Sequence, residues 1–276
     1  MSGNLNTKIP VFAIGYFGIV LSNEIKTSLF DFYTIPLNSR QRNMINEELN
    51  PKIIDFTKFD EIVQATVKNT KFVKVPLFIA ADTLFNNFNK IFSLLDKYKS
   101  KIKSVFCVQI VNRNIEKEIK RILEIKPQDL DIMIIAFTGN EEKGINKAKE
   151  FFETTDFILS STGFINMSLG DFLTLGDVVF FSKYTATGIT EVQKQVIDDF
   201  NNRNSPLNLK KVKKIIIDFK APTSITVAEV NDALQAIINR LSKDVDVQWG
   251  LFISDNDVIE VNVYFGLDKE IFLKKV

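Results

Sequence analysis

Four short, nearly unbroken apolar runs limit what this chain can fold into. They are Ile9–Gly15, Phe72–Ala81, Ser104–Val111 and Asp131–Phe137, dominated by Ile, Val, Phe, Leu and Ala. Each has the length of a strand, and none approaches the ~20 apolar residues of a membrane-spanning helix. An apolar run without alternation fits a strand buried on both faces, as in a parallel sheet. Stretches of helical spacing separate the runs. Phe85, Phe88, Phe92 and Leu95 mark one face of a helix from Asp82 to Tyr98, which Asp82 and Thr83 can cap. Ile115, Ile119, Ile122 and Leu123 mark one face of Asn114–Ile125. Strands alternating with helices predict an α/β architecture with a Rossmann-type parallel sheet covered on both faces.

Phe30–Leu37 reads as a further strand and Ile53–Lys68 as a helix. A long helix runs from Glu141 to Ser160, with Gly163 as its stop, since glycine reaches positive φ at no steric cost. Phe172–Ser182 and Thr190–Asn201 are also predicted helices. Val212–Phe219 is a strand. Thr226-Val-Ala-Glu229 has the capping-box pattern and opens a helix to about Leu241. Two alternating strands follow, the first through Val247, Trp249, Leu251 and Ile253, the second through Ile259, Val261, Val263 and Phe265.

Composition excludes several chemistries. The chain has no His, which removes a His general base, a Ser-His-Asp or Cys-His pair and any His metal ligand. Its single Cys, Cys107, lies in an apolar run, admits no intrachain disulfide and fits a reducing cytoplasm. Net charge is +1, so no global field favours nucleic acid or anionic lipid. The acidic pairs Asp129/Asp131 and Asp255/Asp257 flank strands and read as solvated turns rather than catalytic or metal sites.

The candidate binding residues lie in three places. Gly15 and Gly18 follow the first strand and open a helix. That order places phosphate at a helix N-terminus in nucleotide folds, but Tyr16 and Phe17 between the glycines favour an ordinary strand-to-helix turn with both aromatics buried. Asn38 follows the second strand. Gly163-Phe-Ile-Asn-Met-Ser-Leu-Gly-Asp171 brings Asn166, Ser168 and Asp171 to a bend after the long helix.

This last stretch resembles the synergy loop of FtsZ, the bacterial tubulin homologue, usually Gly-Leu-Ile-Asn-Leu-Asp-Phe-Ala-Asp. Gly163, Ile165, Asn166 and Asp171 match, and Ser168 stands where the first Asp would be. Ile225-Thr-Val-Ala-Glu-Val-Asn231 is similar to the Leu-Thr-Leu-x-Glu-Val-Asn that opens a C-terminal helix in that family. Val247-Gln-Trp-Gly-Leu-Phe-Ile253 is similar to its Ile-x-x-Gly-Ala-x-Ile strand, and Ser205-Pro-Leu207 matches a Ser-Pro-Leu there. The resemblance implies an FtsZ/tubulin-like fold: a nucleotide-binding-type domain over 8–140, a central helix and synergy-type loop over 141–170, and a smaller α+β C-terminal domain over 171–276.

The resemblance also implies which residues carry function. Gly15 and Gly18 would remain from a glycine-rich phosphate loop, Asn38 would lie near the guanine, and Asp171 would be the residual acid reaching the next subunit's nucleotide, with Asn166 in the same loop. The family's signature Gly-Gly-Gly-Thr-Gly-Thr/Ser-Gly is replaced by Ala80-Ala-Asp-Thr-Leu-Phe-Asn-Asn-Phe88, where Asp82, Leu84 and Phe85 oppose a triphosphate. With all three GTP features altered, the expectation is a pseudo-GTPase with no cofactor and no metal. It would act in the cytoplasm through protein–protein contacts with itself or an FtsZ-type filament protein, without the family's C-terminal recruitment tail. The alternatives are a divergent GTP-binding, polymerising GTPase and an α/β protein that shares only element order.

Overall fold

In a computed structural model, residues 8–46, 52–69, 74–82, 88–110, 114–161, 163, 165–201 and 211–273 are described. They form two compact units, one reaching Asp156 and including Phe272, the other spanning Phe157–Ile271.

The first unit holds β1 (Ile9–Ile14), α1 (Gly15–Glu24), β2 (Phe30–Ile35), α2 (Ser39–Arg42), β3 (Lys52–Ile53), α3 (Phe56–Asn69), β4 (Val75–Asp82), α4 (Phe88–Asp96), β5 (Ile102–Ile110), α5 (Ile115–Ile125), β6 (Ile132–Thr138) and most of α6 (Glu141–Ser160). Its strands run in the order β3-β2-β1-β4-β5-β6, and every pairing is parallel. The apolar runs are these strands. Every residue of β1 is buried, as are all but Thr138 of β6, because helices cover both sheet faces. Phenylalanine fills the space between helix and sheet. On α6, Phe152 packs edge-on to Phe30 at 5.1 Å and also meets Phe32, Phe78 and Phe151.

Asp82 closes β4 as a strand residue rather than opening a helix, and the next described helix, α4, starts at Phe88. Thr83, Leu84, Phe85 and the Ser205-Pro-Leu207 match lie outside the described residues.

The second unit continues from the end of α6 through α7 (Leu169–Leu173), β7 (Val178–Ala186), α8 (Ile189–Asn201), β8 (Lys214–Pro222), α9 (Val227–Ile238), β9 (Asp246–Ser254), β10 (Ile259–Leu267) and the start of α10 (Glu270–Leu273). Its strand order is β7-β10-β8-β9. Strand β10 is antiparallel to both β7 and β8, while β8 and β9 are parallel. The capping box at Thr226 and Glu229 forms in both directions, as its sequence pattern requires.

Two expectations fail here. Phe172–Ser182 is not a helix: α7 ends at Leu173, and Val178–Ala186 is a strand. Between them Gly176 takes φ 153°, a conformation that ends the helical path. Gly163 does not act through positive φ. It is required because a Cβ there would lie 2.6 Å from the Leu251 carbonyl oxygen and 2.8 Å from the Phe252 ring.

Candidate functional site

The direction of the crossovers locates a candidate site before any comparison. From β1 the chain crosses to β2 on one side, whereas β4, β5 and β6 build the other side. Ligands of open α/β sheets bind where the order reverses, beyond the C-terminal ends of the strands. At the end of β1 lies Gly15, with φ 70°. Two residues past the Ala13–Ala80 pair on the neighbouring strand stands Asp82.

Gly15 lets the backbone turn directly from strand into helix, in a region that costs a side-chain-bearing residue. Gly18 has a different task. A Cβ there would meet the backbone of Ala13 and come within 2.9 Å of the Ala80 carbonyl oxygen, so the glycine lets α1 lie close against β1 and β4. Between the two, Phe17 is fully buried, while Tyr16 is 38 % exposed rather than buried as expected. The Glu141 carboxylate at the start of α6 acts on the Tyr16 phenol. Hydrogen bonding to it, with partial burial and the carboxylate's charge, raises the phenol's pKa. Among the described residues no side chain caps the N-terminus of α1, and its first turn carries no acidic residue.

Asn38 follows β2, and its side-chain oxygen accepts the Gln41 backbone N–H at 2.9 Å, capping α2. Its neighbour Leu37 is 41 % exposed, with Cδ1 3.4 Å from where a Gly15 Cβ would lie. The structure thus brings Gly15, Gly18 and the Asn38 segment to one edge of the first unit's sheet.

The loop after α6 is tied down within the second unit. Asn166 Oδ1 accepts the Gly163 N–H at 2.6 Å. Ile165 exchanges two backbone hydrogen bonds with Leu251 of β9, at 3.4 and 3.1 Å. Asp171 Oδ2 accepts from the Ser168 N–H at 2.9 Å and from the Ser168 hydroxyl at 2.7 Å, while Ser168 Oγ accepts the Asp171 N–H. Ser168 and Asp171 therefore form a capping box for α7. The signal was present in the sequence as Ser-x-x-Asp, a capping-box spacing, and it accounts for Ser168 independently of any acid once at that position. The Tyr16–Glu141 contact has no local sequence signal.

No family model and no curated protein matches the sequence. Solved structures do match. An empty FtsZ dimer from M. jannaschii is 13 % identical, with TM-score 0.66 over 94 % of this chain and 88 % of that one. The fold is that of the FtsZ/tubulin superfamily. A GTPγS-bound protofilament of CetZ2 from Haloferax volcanii gives TM-score 0.67 at 9 % identity, covering 97 % of this chain and 96 % of that one. GDP-form protofilaments of TubZ from Bacillus thuringiensis serovar israelensis give 0.63 at 8 % identity, covering 94 % and 89 %. Gly15 and Gly18 lie in the first turn of α1 directly after β1, Asn166 lies in the segment between α6 and α7, and Asp171 lies in α7. Among the described residues no helix is long and apolar enough to cross a membrane.

Proposed function

We propose that this chain is an assembly protein of the FtsZ/tubulin fold that works in the cytoplasm by protein–protein contact, with further copies of itself or with an FtsZ-type filament protein, and does so without binding or hydrolysing GTP. One observation carries the reading: the described residues in the nucleotide positions have structural tasks. Gly18 seats α1 on the sheet, Asn38 caps α2, and Asp171 caps α7. The first glycine turn carries Tyr16, whose phenol feels the Glu141 carboxylate, and β4 ends at Asp82. Hydrolysis of a triphosphate needs positive or dipolar groups to offset charge on the transferred phosphoryl and a group to place water. At this edge Glu141 brings a carboxylate to bear on Tyr16 instead. The matched structures include a dimer and two protofilaments, which supports self-assembly as the mode of action.

A divergent GTPase is the second reading, favoured by the N-terminus of α1, which no side chain among the described residues caps and whose dipole suits an anion. Sedimentation of the purified protein discriminates the two. The expected result is pelleting that rises with protein concentration, or with an added FtsZ-type filament, and is the same with and without GTP and magnesium. Pelleting that requires GTP supports the second reading and overturns the first.

A further inference from the structure

The middle of the second unit's sheet holds a carboxyl group that its surroundings leave half-satisfied. Asp218 on β8 and Asn262 on β10 stand directly opposite each other in the antiparallel pairing. Asp218 is fully buried and Asn262 nearly so. Asn262 Nδ2 donates to Asp218 Oδ2 at 2.8 Å. The other two oxygens, Asp218 Oδ1 and Asn262 Oδ1, are both buried without a hydrogen-bond partner among the described residues. An ionised carboxylate offers only acceptors, and an amide oxygen is also an acceptor, so these two atoms cannot satisfy each other. An unsatisfied buried polar atom costs roughly as much as the hydrogen bond it lacks, and a buried unpaired charge costs more.

One proton resolves both. We propose that Asp218 is protonated on Oδ1 in the folded protein and donates to Asn262 Oδ1, closing a reciprocal two-hydrogen-bond ring between a carboxylic acid and a carboxamide that acts as a pH-sensitive latch between β8 and β10. The proton comes from solvent as the chain folds, and its loss leaves a buried carboxylate facing an amide oxygen.

The neighbouring charges are arranged for this. Glu260 on β10, Lys220 on β8 and Lys183 on β7 are the charged groups of this face that act on Asp218. Both lysines bond Glu260, Lys183 at 2.5 Å and Lys220 at 3.3 Å, so neither reaches Asp218. Burial opposes the charge on Glu260, but the two lysines more than offset it and hold its pKa down. Strand β9 contributes no charge beside Asp218; it presents Gly250 opposite and the neutral amide of Gln248 on the same face. Farther along the face, Lys214 pairs with Asp246. Over the face lie Phe157 against Lys220 and Phe252, Met167 against Gly250, and Phe172 against Tyr264. Burial, with the Glu260 charge adding to it, pushes the Asp218 pKa up to about 7, although the Asn262 hydrogen bond and the two lysines pull the other way.

The sign of the effect follows. The folded pKa lies above the unfolded value of about 4, so the folded state binds the proton more tightly. The latch's contribution is fully present at low pH, declines as pH rises from about 4, and is lost as pH passes the folded value of about 7. It is tested by carbon-13 NMR of wild-type protein labelled at its aspartate carboxyls, which needs no variant to fold. The expected result is one aspartate resonance titrating near neutrality, well apart from the others. Asp218→Asn replaces the O–H donor by an N–H donor. It is expected to remove that resonance and to flatten the fall in urea midpoint predicted for wild type between about pH 5 and about pH 8. The proposal is overturned if every aspartate resonance titrates below about pH 5, or if a folded Asp218→Asn keeps the wild-type pH dependence.

Discussion

Gly266→Ala is expected to unfold the second unit. Gly266 lies in β10, between β7 and β8. A Cβ there would overlap the carbonyl oxygen of Leu175, with its carbonyl carbon only 2.7 Å away. Both atoms are backbone, so no side-chain rotation relieves the clash. On the other side the strand is held in register by β8, with Gly266 opposite Lys214. The segment after α7 cannot retreat without cost either. Gly176 is pressed against Leu267, the Asp177 N–H donates to the Leu267 carbonyl at 3.0 Å, and Asp177 Oδ2 accepts the Lys269 N–H at 2.9 Å. Overpacking in a yielding core costs about 1–3 kcal/mol, and backbone against backbone in a central strand belongs above that range, at about 3 kcal/mol or more. The measurement is urea denaturation followed by circular dichroism. A variant within about 1 kcal/mol of wild type contradicts the close approach of β10 to Leu175.

Phe152→Ala is expected to cost the first unit about 3–5 kcal/mol, the range for deleting a buried aromatic ring. Phe152 is fully buried on α6, and its ring touches four others: Phe30 and Phe32 of β2, Phe78 of β4 and Phe151 beside it. Those rings belong to β2 and β4, the strands on either side of β1, and to α6 over them, so the cavity left by the ring cannot close by moving one side chain. Phe152→Leu retains part of the volume and is expected to lose less. Equal losses for the two variants, measured by the same denaturation, would mean that the cavity collapses around the site and that the aromatic cluster is not rigid.

How much of this was legible in the sequence depends on the range of the forces involved. Strands β1, β4, β5 and β6 stand out because they are buried on both faces, which leaves little room for polar residues. Helix α6 is legible in full because caps and periodicity are local. The stretch from Val178 to Ala186 is not, since a short apolar run fits a strand or a buried helix equally well by period. Its strand state comes from pairing with β10, which lies some 80 residues onward. Strand β9 departs from simple alternation: Phe252 is buried beneath Phe157, while Ile253, expected on the buried side, is 39 % exposed. The two-residue strand β3 has no local signature.

The candidate site divides in the same way. The capping box of Ser168 and Asp171 is written in residues three apart. The facing of Asp218 and Asn262 is set by strand register across 44 residues and cannot be read locally. The tasks of Gly18 and Gly163 are likewise set by what approaches them, Ala13 and Ala80 in one case, Leu251 and Phe252 in the other.

The most direct test of assembly without nucleotide is a calorimetric titration of the purified protein with GTP, with and without magnesium. Gly18, Asn38 and Asp171 already serve helix packing and capping, and the Glu141 carboxylate acts on Tyr16, so no binding heat is expected in either condition. Saturable binding at micromolar GTP, strengthened by magnesium, would contradict the account and return the N-terminus of α1 to the role of phosphate site.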